Sequence, residues 1–152
     1  MTLTANGEKM CRLISSARAF PLIHQKILIA EDNADSREML QVLLEAKGYE
    51  VIPAADGYLA VEAALQQSPD LVLVDLQLPG LDGLSVAKEL RLRPELARVP
   101  IIILSGCDPL RYREAALKAG CNDYLLKPID FERLDEILLE RVPLCVPHAR
   151  SA

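Results

Sequence analysis

The sequence alternates short apolar runs with amphipathic segments, and it does so five times between Lys26 and about residue 141. The apolar runs lie at 26–30, 49–52, 71–74, 99–104 and 123–126. Runs this short and this rich in Val, Ile and Leu are typical of strands buried on both faces of a parallel sheet. Because a helical segment follows each run, the pattern predicts a doubly wound α/β domain with right-handed crossovers.

The segments between the runs carry helix signals at their ends. The first helix is predicted to span about 35–47 and to end at Gly48, and its apolar face is predicted to contain Met39, Leu40, Leu43 and Leu44. The other four are predicted to start near Asp56, Asp82, Pro109 and Asp130. We therefore expect one domain at 26–142, preceded by a flexible leader at 1–25 and followed by a tail at 143–152.

Charge and cysteine content exclude several classes of protein. The 152 residues carry a formal net charge of −5 and only 4% aromatic residues, which argues against a general nucleic-acid binder and against membrane adsorption. The cysteines have no zinc-site spacing, so reduced thiols in a cytoplasmic protein are expected; they are Cys11, Cys107, Cys121 and Cys145. No apolar run approaches the length of a membrane span, and Arg18 interrupts the N-terminal apolar stretch that a signal peptide would need.

Most of the polar chemistry of the predicted domain follows directly after its strands. In open α/β sheets, ligands bind beyond the carboxyl ends of the strands. The residues at those positions are Glu31, Asp32 and Asn33 after the first strand, Asp56 after the second, Asp75 after the third, Ser105 after the fourth and Lys127 after the fifth. Taken singly, each has an ordinary explanation as a helix cap, a turn residue or a surface charge.

Three of these residues would meet in one particular strand order. If the order is 2-1-3-4-5, the first and third strands are neighbours, and Glu31, Asp32 and Asp75 converge. Helix capping does not require three acids in one crevice, and clustered carboxylates repel one another unless a cation is present. Hard oxygen ligands of this kind suit Mg²⁺. The sequence therefore predicts a magnesium site at this edge of the sheet.

The motifs at the strand ends resemble those of one known family. They are Glu31-Asp32-Asn33, Asp75 within the segment 73–83, Ser105, and Lys127-Pro128. In this order along the chain they resemble the receiver domain of two-component response regulators, over about residues 26–141. The resemblance implies a flavodoxin-like fold: a five-stranded parallel sheet of order 2-1-3-4-5 with five helices.

The resemblance assigns roles to the acidic residues. Asp75 is implied to be the phosphoryl acceptor, and its own charge and that of the incoming group would have to be offset. Asp32 is implied to be a direct ligand of Mg²⁺, and Glu31 a ligand that often acts through water. Asp75 and the backbone carbonyl of Gln77 would complete the protein's share of the metal site.

Further residues are assigned by the same resemblance. Lys127 would contact one phosphoryl oxygen and Ser105 would donate a hydrogen bond to another, and the bond before Pro128 is commonly cis in this family. Tyr124 matches the family's aromatic switch position, although an ordinary strand tyrosine explains it equally well. Movement of Ser105 towards the phosphoryl group would let the Tyr124 ring turn inward. Cys107 borders the site, where an inert small side chain is favoured over a redox role.

The function implied by the resemblance is that of a single-domain response regulator. It would accept the phosphoryl group from a sensor histidine kinase or a histidine phosphotransfer protein and catalyse only its own phosphorylation and dephosphorylation. It would signal to a downstream protein target through the face of the fourth helix, fifth strand and fifth helix. No direct nucleic-acid binding and no membrane insertion are expected, and the chain would be a monomer or a phosphorylation-linked dimer. A phosphorylation-independent, receiver-like scaffold is the open alternative.

Three other phosphate-handling classes fit the sequence less well. A haloacid-type phosphatase needs a second Asp two residues after its nucleophile, where this chain has Gln77. The glycine- and lysine-containing loop of P-loop nucleotidases is absent. A flavodoxin would carry a Gly- and hydroxyl-rich phosphate loop after the first strand, where Glu31 and Asp32 have the wrong charge.

Overall fold

The computed structural model describes residues 24–143, which form a parallel sheet between two layers of helices. The strands are β1 (Lys26–Ala30), β2 (Glu50–Ala54), β3 (Leu71–Asp75), β4 (Ile101–Ser105) and β5 (Asp123–Leu126). The helices are α1 (Ala34–Ala46), α2 (Gly57–Gln67), α3 (Gly83–Arg91), α4 (Pro109–Lys118) and α5 (Phe131–Arg141). A short 3-10 helix at Pro94–Leu96 follows α3.

The strand order is 2-1-3-4-5, and every neighbouring pair is parallel. This confirms the predicted fold class. The register pairs Ala30 of β1 with Val74 of β3, and Asp75 of β3 with Leu104 of β4. The ends of these three strands therefore reach the same edge of the sheet.

Side chains along each central strand alternate between the two helix layers. In β1, Leu28 and Ala30 pack with α2, α3 and α4, whereas Ile27 and Ile29 pack with α1 and α5. All four are fully buried. Full burial of one large aliphatic side chain contributes about 1.5–3 kcal/mol, and both faces of the strand are covered. This is why the run is apolar throughout rather than alternately polar.

The N-terminal ends of the helices show which polar residues act as helix caps and which remain as candidate site residues. In the described part of the chain, each α-helix begins at an Asn or Asp whose side chain accepts a backbone N–H of the first turn; these N-caps are Asn33, Asp56, Asp82, Asp108 and Asp130. The expected starts at Asp56, Asp82 and Asp130 are confirmed. Asp32 and Ser105, for which capping was an open explanation, do not cap their helices, so that explanation no longer accounts for them.

Some details of the sequence prediction were wrong. β2 spans Glu50–Ala54, whereas the predicted run was 49–52. Met39 is half exposed, because the buried face of α1 is centred on Leu40 and Leu44. β4 begins at Ile101, two residues later than predicted. The preceding Pro100 has no N–H to donate to a neighbouring strand, so the ladder starts after it.

Several expectations fall partly or wholly on residues that the structure does not describe. The leader and most of the tail lie outside 24–143, so the domain boundaries at 26 and 142 stay predictions. Cys11 and Cys145 also lie outside this range, whereas Cys107 is a partly exposed free thiol and Cys121 a buried one. No helix within the described residues is long and apolar enough to cross a membrane.

Candidate functional site

The carboxyl ends of β1 and β3 bring three acidic residues together. Glu31 and Asp32 follow β1, and Asp75 is the last residue of β3. One carboxylate oxygen from each residue lies within 4.8 Å of the others. The convergence predicted from the strand order is therefore observed.

Two of the three acids are almost inaccessible to water. Glu31 is 1% exposed and Asp75 is 7% exposed, whereas Asp32 is exposed. Burial raises the pKa of Glu31, and hydrogen bonds from Lys127 and from the Asn33 N–H oppose the rise only in part. Buried carboxylates this close together favour a cation that offsets their charge.

A single ammonium group bridges the two buried acids. Lys127 follows β5, and its Nζ lies 2.8 Å from Glu31 Oε1 and 2.8 Å from Asp75 Oδ2. Burial lowers the pKa of Lys127, but the hydrogen bonds to Asp75 and Glu31 outweigh it, so the pKa is raised overall. The lysine is therefore held in its charged form beside the candidate acceptor. The bond between Lys127 and Pro128 is cis, as the resemblance implies.

The turn after β3 holds the Asp75 carboxylate in place. Its Oδ1 accepts a hydrogen bond from the Gln77 N–H at 3.1 Å, and the Gly83 N–H donates to the Leu76 carbonyl at 2.9 Å. A Cβ atom at Gly83 would collide with the Asp75 backbone carbonyl. The close approach of α3 to the end of β3 therefore requires a glycine at this position. The Gln77 carbonyl, a predicted metal ligand, belongs to this turn.

Ser105 closes the same edge of the sheet from β4. It is buried, and its Oγ accepts a hydrogen bond from the Cys107 N–H at 2.9 Å. Its carbonyl accepts the Lys127 N–H at 2.8 Å, which ties the ends of β4 and β5 together. A serine hydroxyl that accepts from a backbone N–H keeps its own O–H as a donor. Ser105 can therefore donate to a group bound at the site.

The ring of Tyr124 lies inward, below the loop between β4 and α4. The residue is 8% exposed, and its hydroxyl donates to the Cys107 carbonyl at 3.2 Å. Burial raises its pKa, and the neighbouring Ser105 side chain opposes the rise only in part. An inward Tyr124 ring was expected only in the phosphorylated protein, but the Cys107 carbonyl already provides a partner for the hydroxyl. The Cys107 peptide thus joins Ser105 at its N–H to Tyr124 at its carbonyl.

Sequence reasoning missed Arg37. Its Nη1 donates to the Glu31 backbone carbonyl at 2.7 Å, which anchors the loop that carries Glu31 and Asp32. An arginine near the start of an amphipathic helix is usually a surface charge, and no motif in the sequence distinguishes Arg37 from such a residue. Only the fold of α1 over the end of β1 makes this contact visible.

An apolar surface borders the acids on the side of α1 and α5. A groove of about 360 Å³ lies beside the site, and it is lined by Glu31, Ser36, Met39, Leu40, Lys127, Pro128, Ile129 and Phe131. Met39 is 50% exposed, and Phe131 at the start of α5 is 41% exposed. Exposed apolar side chains grouped in this way mark a surface that other molecules can contact. This surface was not predicted from the sequence, because Met39 was expected to lie in the buried face of α1.

The donor set fits Mg²⁺. The structure offers three carboxylates at one edge, one of them exposed to solvent, and a turn carbonyl two residues after Asp75. Hard oxygen ligands and room for water on the exposed side are what this ion requires. Asp32, Asp75, Glu31 and the Gln77 carbonyl are therefore the residues that would hold it.

Two comparisons of the sequence relate the chain to known proteins. A family model described as the response regulator receiver domain matches residues 27–139. The chain is 39% identical over 111 residues to the probable transcriptional regulator ycf27 of Porphyridium aerugineum, a match that covers 73% of this chain and 45% of that protein. It is 35% identical over 114 residues to the polar-differentiation response regulator DivK of Brucella anthropi, covering 75% of this chain and 93% of that one. The chain thus spans less than half of the first relative and nearly all of the second.

A solved structure agrees with these sequence relatives. The receiver domain of the sensor histidine kinase PA1611 from Pseudomonas aeruginosa PAO1 is 41% identical to this chain, with a TM-score of 0.72. The match covers 78% of this chain and 98% of that domain. That structure holds a magnesium ion coordinated in its active site cleft.

Proposed function

Because this chain belongs to the response regulator receiver domain family, we propose that Asp75 accepts a phosphoryl group in a Mg²⁺-dependent reaction and that the resulting change of surface is its signal. The observation that carries the proposal is the cluster of Glu31, Asp32 and Asp75 with Lys127 bridging two of its members. Buried charges cost stability unless they are paired. Here the buried Glu31 and Asp75 lie beside the exposed Asp32 and share one lysine. Three acids with a single basic partner at one sheet edge are better explained by chemistry than by folding.

The nucleophile we propose is Asp75. In the proposed reaction, a carboxylate oxygen of Asp75 forms a bond to phosphorus. At the same time, the bond between phosphorus and a histidine nitrogen of the donor breaks, and the leaving imidazole takes up a proton. The Gln77 N–H fixes Oδ1 of Asp75. This leaves Oδ2, the oxygen that Lys127 contacts, to face the incoming phosphorus.

Positive charge around Asp75 would offset the negative charge of the transferring phosphoryl group. Bound Mg²⁺, held by Asp32, Asp75, Glu31 and the Gln77 carbonyl, would supply charge neutralisation for the phosphoryl oxygens. Lys127 would move from Asp75 to a phosphoryl oxygen, which its flexible four-carbon stem permits. The Ser105 hydroxyl would donate to another phosphoryl oxygen.

The donor we propose is a histidine kinase or a histidine phosphotransfer protein. Met39 and Phe131 line a groove that also contains Glu31 and Lys127. Because Lys127 contacts Asp75, the donor's surface would rest on these exposed apolar side chains while its histidine approaches Asp75. A small phosphodonor such as acetyl phosphate would need no such contact. We propose no reaction other than the protein's own phosphorylation and dephosphorylation.

The output surface we propose is the face made by α4, β5 and α5. Leu110 and Leu117 of α4 and Leu126 of β5 are exposed on these elements. An ion pair between Arg133 of α5 and Asp123 of β5 joins two of them. The route to this face runs from Ser105 through the Cys107 peptide to Tyr124. A hydrogen bond to a charged partner contributes about 1.5–3 kcal/mol, enough to shift a two-state population by tenfold or more.

Intact-mass spectrometry after incubation with acetyl phosphate and Mg²⁺ tests the proposal. We expect one added phosphoryl group on the wild type, none without Mg²⁺, and none on Asp75→Asn. Asp82→Asn is the matched control, because Asp82 caps α3 in the same turn and should leave labelling intact. Equal labelling of Asp75→Asn and wild type would refute the acceptor assignment. An unlabelled wild type that folds and binds Mg²⁺ would instead favour a phosphorylation-independent scaffold.

A further inference from the structure

A second groove lies along α1, and its lining combines apolar and acidic side chains. The groove has a volume of about 470 Å³ and is lined by Asp35, Glu38, Met39, Val42 and Leu43, which we call the α1 stripe. Met39 and Val42 are 50% and 60% exposed. Among the described residues, neither Asp35 nor Glu38 takes part in an ion pair. Within residues 24–143, the stripe therefore presents negative charge without a basic partner, beside apolar surface.

The chemistry of residues 1–23 is complementary to that of the α1 stripe. This segment carries three basic residues and one acidic residue, and it is also rich in apolar side chains. The basic residues are Lys9, Arg12 and Arg18, and Leu13, Ile14 and Phe20 lie between or beside them. By contrast, the whole chain has a net charge of −5. The concentration of positive charge in this segment thus opposes the general trend of the sequence.

The described structure begins next to the end of α1. The Gln25 carbonyl accepts the Glu50 N–H at 2.9 Å, and the Gln25 side chain donates to the Pro143 carbonyl at 3.3 Å. Glu50 follows α1 by one short turn, and Pro143 follows α5. Gln25 therefore lies near the ends of α1 and α5, and residues 1–23 are tethered to the domain at this point. Twenty-three residues span about 35 Å even at the helical rise of 1.5 Å per residue, whereas α1 is about 20 Å long.

From these observations we propose that residues 1–23 bind the α1 stripe of their own chain, with Arg12 and Arg18 facing Asp35 and Glu38. Tethering gives the segment a high effective concentration at the stripe, so modest contacts are sufficient. Met39 belongs both to the stripe and to the groove beside the acid cluster. The bound segment would therefore cover part of the surface that a protein donor needs, and this consequence, though not the binding itself, rests on the proposed function.

A spin label on Cys11 in the full chain tests the proposal. Cys107 and Cys145 are changed to Ser, and paramagnetic broadening of backbone amides is recorded. We expect broadening along residues 34–46 and its loss in Arg12→Glu/Arg18→Glu. We expect the broadening to be lost in Asp35→Lys/Glu38→Lys as well, and to return when all four charge reversals are combined in one chain. Glu62→Lys/Glu89→Lys, on α2 and α3, is the matched control and should leave the broadening intact.

Three results would overturn the proposal: no broadening on α1, an equal effect of the control reversals, or broadening of a ¹⁵N chain by a separate spin-labelled chain, which would indicate a second copy as the occupant. If the α1 reversals unfold the domain, the reversals at Arg12 and Arg18 still decide, because these two residues lie outside the described residues 24–143. Labelling by acetyl phosphate should be the same in all variants. Its absence from wild type would refute the proposed function without affecting the docking result.

Discussion

Lys127 Nζ contacts Asp75 Oδ2 at 2.8 Å, the same distance at which it contacts Glu31 Oε1. The carboxylate proposed as phosphoryl acceptor therefore shares its counterion with a buried glutamate from a different strand. Phosphorylation would have to exchange this ion pair for contacts with the phosphoryl group. Removal of Lys127 would leave the buried charges of Asp75 and Glu31 uncompensated. We therefore expect a substitution of this lysine to affect metal binding and phosphoryl transfer in different ways.

For Lys127→Ala, we expect Mg²⁺ binding at least as tight as in wild type, because the acid cluster becomes more negative. Labelling by acetyl phosphate should slow by about tenfold or more, because the positive charge that Lys127 would direct at the anionic phosphoryl group is lost. Calorimetric titration and the rate of mass gain measure the two effects. Lys88→Ala on α3 is the control and should change neither. A parallel loss of metal binding and labelling in Lys127→Ala would mean that the lysine only supports the fold.

Asp32→Ala and Asp56→Ala should separate metal binding from helix capping. Asp32 belongs to the acid cluster, whereas Asp56 accepts the Leu59 N–H at 2.8 Å as the N-cap of α2. Loss of such a cap costs about 1 kcal/mol of stability. We therefore expect Asp56→Ala to lower the free energy of unfolding with little change in Mg²⁺ affinity, and Asp32→Ala to weaken Mg²⁺ binding strongly. The same Mg²⁺ dissociation constant for both variants would contradict this division.

Ser105→Ala should uncouple the site from the output face. The variant should still accept a phosphoryl group on Asp75, because the nucleophile and the acid cluster are unchanged. We expect it to lose most of the beryllofluoride-induced change in amide exchange over residues 108–141, since the contact that leads through the Cys107 peptide to Tyr124 is removed. Ser85→Ala on α3 serves as the control. A wild-type response from Ser105→Ala would exclude the hydroxyl as the coupling group.

The two described thiols should differ in reactivity. Burial raises the pKa of the Cys121 thiol to about 11, against a smaller opposing effect of Arg91. Because the thiolate is the reactive form, iodoacetamide at pH 8 should modify partly exposed Cys107 and spare Cys121 in the folded protein. Denaturation in urea should make both react. The protonated Cys121 thiol contributes to the free energy of unfolding below pH 9, which is the ordinary pKa of a cysteine thiol. This contribution is lost as the pH rises through the raised pKa of about 11. Peptide mapping that finds Cys121 modified first would show that its surroundings are open.

Much of the fold could be predicted because its signals are local. The apolar run at 123–126 coincides with β5, and Asp56 caps α2 through a residue only three positions away. The errors arose where neighbours in space decide. Met39 fits the apolar periodicity of α1 as well as Leu40 does, but the sheet lies under Leu40 and Leu44. No local pattern distinguishes a covered position from an uncovered one at the margin of an apolar face.

The sequence by itself determined the order of strands and helices and the set of polar residues at the strand ends, because periodicity and turn chemistry depend on near neighbours. Only the tertiary structure decided what those residues do to one another. The bridge from Lys127 to Glu31 spans 96 positions, and the bond from Tyr124 to Cys107 spans 17. Arg37 became part of the site only through its contact with the Glu31 carbonyl. Contacts of this kind exist because β1, β3, β4 and β5 end at one edge, and that proximity follows from packing of the whole sheet rather than from any segment of it.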